Sequence, residues 1–280
     1  MSEKVASFIL RQINRLNRVR DAVYLDTNAW SKLAKREISH EPLQDWVRER
    51  GYHIWMARFQ MAELTGDTRL ARPLAELLRV LPVVILDRAQ NEFYGEPWYK
   101  VRVELDEYIQ LKDDPIFNEF ISQLINGPIR KAREQLKADA EGFQIWLESA
   151  LAAIPADTAR TWKEFPKRLE HWIRSQCERN NTPVNEQALS NPECFVGLRL
   201  SYGVLFWRYF INRQPWRPPD YVDYLHAADM AYAEVVVTEH NLAECIRQLA
   251  RRPEVHVPRL VVGLSWLENP SNAVTGNKSR

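Results

Sequence analysis

Apolar positions follow two rhythms along the first hundred residues. Short continuous apolar runs, Ala22–Leu25 (AVYL), 54–59 and 83–86 (VVIL), alternate with stretches where apolar residues recur at three- and four-residue steps. The runs have strand length and carry β-branched and aromatic residues, as strands buried on both faces do. The stretches between them read as helices, one starting near Trp30, one in the QMAEL tract that carries Glu63, and one over 70–78. The alternation returns near the end, with a helix over 220–232, an apolar strand over 234–238 (EVVVT), a helix over 241–250 and a last strand within 255–264. Strands alternating with helices predict an α/β fold whose parallel sheet is covered by helices on both faces.

Between 96 and 216 the rhythm changes. Helical periodicity runs over 101–111, 116–125, 129–154, 158–177 and 185–211, broken at Pro115, Gly127-Pro128, Pro155 and Pro183. No strand is expected there, and the block reads as a large all-helical insertion. Residues 1–20 read as an amphipathic helix with Val5, Phe8, Ile9, Ile13, Leu16 and Val19 on one face and Lys4, Arg11, Arg15, Arg18 and Arg20 on the other. The expected organisation is a basic N-terminal helix (1–20), a discontinuous α/β core (21–95 plus 217–268), a helical insertion (96–216) and a polar, loose tail (269–280).

Composition narrows the function. Of 280 residues, 45% are hydrophobic and 27% charged, which excludes a disordered chain. A net charge of +1 excludes a basic nucleic-acid coat over the whole molecule, so any phosphate-binding surface is local. The 96–216 block holds 16 basic and 17 acidic residues, a balance that suits protein contact better than phosphate contact. Cys177, Cys194 and Cys245 form no CxxC pair, which argues against a zinc knuckle or a disulfide framework and for a reducing, cytoplasmic setting. No apolar stretch is long enough to span a bilayer.

In a doubly wound sheet ligands gather at the carboxyl ends of the strands. Asp26 stands after the first strand, Glu63 in the helix after the second, Asp223 on the helix entering the 234–238 strand, and Glu239 just after it. Each has an ordinary alternative. Asp26 serves equally as a helix N-cap, Glu63 as a solvated helix charge, Asp223 as the helical partner of His226, and Glu239 as a residue near a helix dipole. Four carboxylates at one sheet edge repel one another unless a cation or a protonation shift offsets the repulsion. Oxygen donors without soft ligands suit Mg²⁺ or Mn²⁺, which clamp phosphate oxygens and generate hydroxide. The chemistry that follows is phosphodiester hydrolysis. Asn28, Arg58 and His226 are the candidate substrate contacts. Asp220, one turn before Asp223, could take its place as a ligand, whereas Asp229, about 240° around the helix from Asp223, is expected to point elsewhere.

The motifs also carry a resemblance. The run VYLDTNAWSKLA resembles the opening of a PIN-domain nuclease, in which an Asp closes the first strand before a Thr/Ser and Asn. MAELTG, with Glu63 thirty-seven residues after Asp26, resembles that family's second acidic position, and DYLHAADMAYAEVVVTEHNLAECI resembles its third block. The resemblance covers roughly 20–95 and 217–265. It implies a PIN-like α/β/α sandwich, dependence on Mg²⁺ or Mn²⁺, and cleavage of RNA, with Asp26, Glu63 and Asp223 as metal-site acids and Glu239 in the fourth position. Glu239 stands where Asp is usual, and the TEHN tract departs from the family's Thr-x-Asp spacing. The helical block has no counterpart in a minimal PIN toxin. Many members are toxins held by an antitoxin, or act in RNA processing or defence. A cytoplasmic endoribonuclease is therefore expected, with RNA (or DNA) as substrate and an inhibitory or complex-forming protein, or a second copy, as partner. The rival readings are a catalytically weak PIN-like module that binds RNA or protein, and a haloacid-dehalogenase-like phosphatase. The latter needs a second acid two residues after the first, where this chain has Asn28.

Overall fold

The computed structural model of the chain describes residues 22–65, 68–90, 92–98, 102–106, 129–154 and 160–270. The expected basic helix at 1–20, the helix at 116–125 and residues 271–280 of the tail lie outside them.

Six strands form one sheet in the order β4-β3-β2-β1-β5-β6. They are β1 (Ala22–Leu25), β2 (His53–Ala57), β3 (Val83–Gln90), β4 (Arg102–Asp106), β5 (Val235–Val237) and β6 (Leu260–Val262). All neighbours pair in parallel except β4, which runs antiparallel to β3. The expected parallel α/β sheet is therefore present. The antiparallel β4 corrects the expectation that 96–216 holds no strand. Its sequence, RVELD, alternates polar and apolar residues with the period of two that marks an edge strand, and a helical reading of 101–111 passes over it.

Side chains of adjacent strand positions enter two separate cores. Val23, Leu25, Ile54, Met56, Val83, Val235 and Val237 pack with residues of α1 (Thr27–Ala34), α2 (Glu41–Arg50), α3 (Arg58–Thr65) and α4 (Thr68–Val80). Of these helices α2 was not anticipated, although Leu43, Trp46 and Val47 give it one apolar face behind an N-terminal proline. Ala22, Tyr24, Trp55, Val84 and Val236 face the opposite way. They pack with α6 (Phe165–Arg179), α8 (Val196–Leu205), α9 (Pro219–Met230) and α10 (His240–Leu249). Of the 96–216 block, α6 and α8 thus share a core with the sheet. On their outer side α5 (Ile129–Ala152) sets Leu147 against Leu205 and Tyr209. A four-residue helix, α7 (Glu186–Leu189), and a π-helical segment (Phe206–Ile211) continuing α8 complete this layer.

Arg199 on α8 ties the layer together. It is almost fully buried, and its guanidinium donates to the carbonyls of Cys194, Leu189, Ala188 and Glu254. All three cysteines are buried thiols outside any disulfide. Among the described residues no helix is long and apolar enough to cross a membrane.

Two glycines share φ = +69° but not their surroundings. Gly51 is the left-handed C-cap of α2, and a Cβ there would meet nothing within 4 Å. At Gly95 it would lie 2.6 Å from the Cβ of Ala188 and 2.8 Å from Phe195. Gly51→Ala should therefore cost about 1 kcal/mol, the backbone penalty alone. Gly95→Ala adds overpacking and should cost about 2–4 kcal/mol. Urea unfolding midpoints check the difference, and equal losses would show that 95–98 is not packed against 185–195 as described.

Candidate active site

The strand order reverses at β1. The chain proceeds from β1 to β2 and β3 on one side, then returns to place β5 on the other. The crevice at such a switch point is where open sheets hold ligands, and it opens between the carboxyl ends of β1 and β5. Asp26 follows β1 directly, and Thr238 and Glu239 follow β5.

The Asp26 carboxylate closes this crevice. One oxygen, Oδ1, accepts from the Ala29 amide at 2.7 Å and so N-caps α1. The other accepts from the Thr238 hydroxyl at 2.6 Å and from the Glu239 amide at 2.9 Å. The ordinary N-cap role and the position at the sheet edge therefore coexist. Burial pushes the Asp26 pKa above its usual value. The bonds from Thr238, Ala29 and Glu239 oppose the rise, and the charge of Asp223 adds to it.

Each of the other three acids accepts a hydrogen bond of its own. The Thr27 hydroxyl donates to Glu63 Oε2 at 2.7 Å, and the exposed Asn28 amide donates to Glu239 Oε2 at 3.2 Å. Asp223 accepts from Arg208 at 2.7 Å, and the same guanidinium nitrogen donates to Asp220 at 3.1 Å. Burial raises the Asp223 pKa, Arg208 opposes this, and the charges of Glu239 and Asp220 raise it further. Asp26 thus feels the charge of Asp223, and Asp223 that of Glu239. Among the described residues, however, no three His, Cys, Asp or Glu side chains stand in an arrangement that could hold a metal ion. Arg208 supplies the cation beside Asp223.

Asp220 and Asp223 differ in exposure. The Asp220 side chain is 5% exposed, and besides Arg208 it accepts from the Arg217 amide at the start of α9. Asp223 keeps 20% of its side chain accessible and faces the other acids. The charge of Asp229 acts on the buried Tyr24 phenol.

The candidate substrate contact His226 is turned into the interior. It is buried, with Nδ1 2.7 Å from the Tyr24 hydroxyl and Nε2 3.0 Å from the Thr27 hydroxyl. Spacing along α9 gave its face but not its depth. The Arg58 side chain lies outside the described residues. Sequence reasoning missed Arg208, Thr238 and Gln60. Gln60 is fully buried and bridges the ends of the first two strands, accepting from the Ala57 amide and donating to the Leu25 carbonyl. Only the placement of Thr238 and Gln60 beside strand ends could have signalled their roles.

The burial of His226 has a pH signature. Desolvation lowers its pKa from 6.5 to about 3, so between those values the unfolded chain binds a proton that the folded chain refuses. Stability should fall as pH drops through this window, by up to about 1.4 kcal/mol per unit from this residue. The raised pKa of Asp26 works in the opposite sense, since a folded state that takes up protons more readily is favoured by acid. His226→Gln isolates the histidine. Its unfolding free energy should decline less between pH 6.5 and 4.5 than that of the wild type, and parallel declines would place the titration elsewhere.

Comparison of the chain with family models, with curated proteins and with solved structures gives no match.

Proposed function

We propose that the protein is a divalent-metal-dependent nuclease with a PIN-like core, an endoribonuclease of the toxin or defence type. The observation that carries this reading is the set of four carboxylates, Asp26, Glu63, Asp223 and Glu239, at the carboxyl edge of the sheet where the strand order reverses. Like charges in that place, one buried and three half-buried, favour a partner of opposite sign. The donors are all hard oxygens, which fits Mg²⁺ or Mn²⁺ in type. The described arrangement gathers no three of these acids closely enough for an ion, so Asp26, Glu63, Asp223 and Glu239 would have to draw together to hold one; once bound it would stabilise charge on a phosphate and lower the pKa of water.

The chain's own residues do the rest. Asp26 is fixed by three donors, so its position survives substrate entry. Glu63 is oriented by Thr27. Asn28, exposed beside Glu239, presents an amide at the rim of the crevice for a phosphate or ribose oxygen. Arg208 holds Asp223 in the absence of another cation and keeps the acids from repelling one another.

A second reading has one specific observation behind it. Arg208 on Asp223, and three donors on Asp26, already satisfy two of the acids. A site satisfied in this way suits an RNA- or protein-binding module that needs no metal. Single-stranded RNA incubated with Mg²⁺ or Mn²⁺, with and without excess chelator, separates the two. Cleavage that stops with chelator and returns with Mn²⁺ is expected. RNA retained intact under both conditions supports the binding module.

Asp26→Asn tests the carboxylate itself. The amide offers one acceptor oxygen, so it cannot serve both the Ala29 and Glu239 amides, and its own N–H₂ faces a donor. A loss of about 1–2 kcal/mol in stability is expected at pH 7. The variant should stay folded by circular dichroism, and its RNA cleavage should fall by at least about a hundredfold, the scale for loss of a group acting in the transition state. A folded variant that retains cleavage removes Asp26 from the site.

A further inference from the structure

We propose that Tyr24, His226 and Thr27 form a one-way hydrogen-bond chain that fixes the orientation of the Glu63 carboxylate. The catalytic part of this inference rests on reading Glu63 as a site acid; the chain itself does not. The links are Tyr24 hydroxyl to His226 Nδ1 at 2.7 Å, His226 Nε2 to Thr27 Oγ1 at 3.0 Å, and Thr27 Oγ1 to Glu63 Oε2 at 2.7 Å.

The direction follows from counting protons. A threonine hydroxyl has one hydrogen, and an ionised carboxylate can only accept. Thr27 therefore spends its hydrogen on Glu63 and can only accept from His226. That requires the proton on Nε2. Burial keeps the ring neutral, so Nδ1 is left as an acceptor and Tyr24 donates to it. The reverse order would need a protonated Glu63 at the head of the chain.

The chain orients Glu63 and does not conduct protons away from it. Tyr24 and His226 are 0% and 2% exposed, lie beneath the crevice and reach no substrate. Edge-on packing of Tyr24 (5.7 Å) and Phe59 (4.9 Å) against the imidazole restrains the ring. Two polar groups in a core cost free energy unless bonded, and an apolar pair would pack there without that demand. What they add is a defined acceptor for Thr27 and, through it, a fixed carboxylate. They are positioning residues, as partners outside a ligand shell commonly are.

Multiple-bond ¹H–¹⁵N spectra of the full-length chain, labelled at its six histidines, read the tautomer. The His226 signals are identified by their loss in His226→Gln. The Nε2–H tautomer is expected at neutral pH. Glu63→Leu frees the Thr27 hydroxyl to turn toward Nε2 and should move the ring toward Nδ1–H. In a Thr27→Val background the same change should leave the tautomer where it was. An Nδ1–H ring in the wild type, or one indifferent to Glu63→Leu, overturns the chain. In RNA cleavage, Thr27→Val should lower kcat about tenfold with KM within about twofold, and Thr27→Ser should recover most of it. An active wild type whose kcat survives Thr27→Val overturns the positioning role. A wild type that cleaves nothing defeats the nuclease reading instead, and the spectra still decide the chain.

Discussion

Strand β1 has a parallel partner on each edge and a helical layer on each face, so none of its four residues meets water. Most of the architecture follows from that enclosure. Val23 and Leu25 must enter one core and Ala22 and Tyr24 the other, because alternate strand residues point to opposite faces. A tyrosine so placed has to bond its hydroxyl within the protein, and His226 on α9 is the group that meets it. The first residue able to leave the enclosure is Asp26. Its amide still continues the β1–β5 ladder by donating to Val237, while its side chain turns into the crevice.

The crevice is held by groups that belong to both fold and site. Asp26 begins a helix and links β1 to the turn after β5. Arg208 comes from the π-helical end of α8, a local irregularity of a kind often found at functional sites, and reaches two acids on α9. A buried cation between two carboxylates is expensive to desolvate, and removing either partner strands a charge. The helical layer is therefore coupled to the site by charge as well as by packing.

The sheet was legible because its inner strands are unbroken apolar runs and helices separate them. AVYL and EVVVT have the length and composition of strands buried on both faces. The edge was less legible, since RVELD is short and lies in a stretch with helical spacing of its own. Periodicity also gives the face of a helix and not what the face meets. Phe165, Leu169 and Ile173 mark α6 as amphipathic, yet nothing in their spacing says they pack beneath the sheet. The acids Asp26, Glu63, Asp223 and Glu239 were found because a strand end or the helix beside it is recognisable in sequence. Their partners were not. Arg208 meets Asp223 only through the packing of α8 on α9, and His226 reads as a substrate contact in the sequence because burial of a histidine leaves no local mark.

Arg199 shows how differently two arginines can serve one helix. Arg208 answers carboxylates, whereas the donors of Arg199 go to four main-chain carbonyls in the interior. Dissolved ions screen charges they can approach, and they do not approach these dipoles. The joint between α8, the loop at 188–194 and the chain near Glu254 is therefore insensitive to ionic strength. Contacts to a nucleic-acid backbone weaken steeply with added salt. Concentrated salt can strip a bound polyanion from this protein and leave the helical layer seated on its sheet.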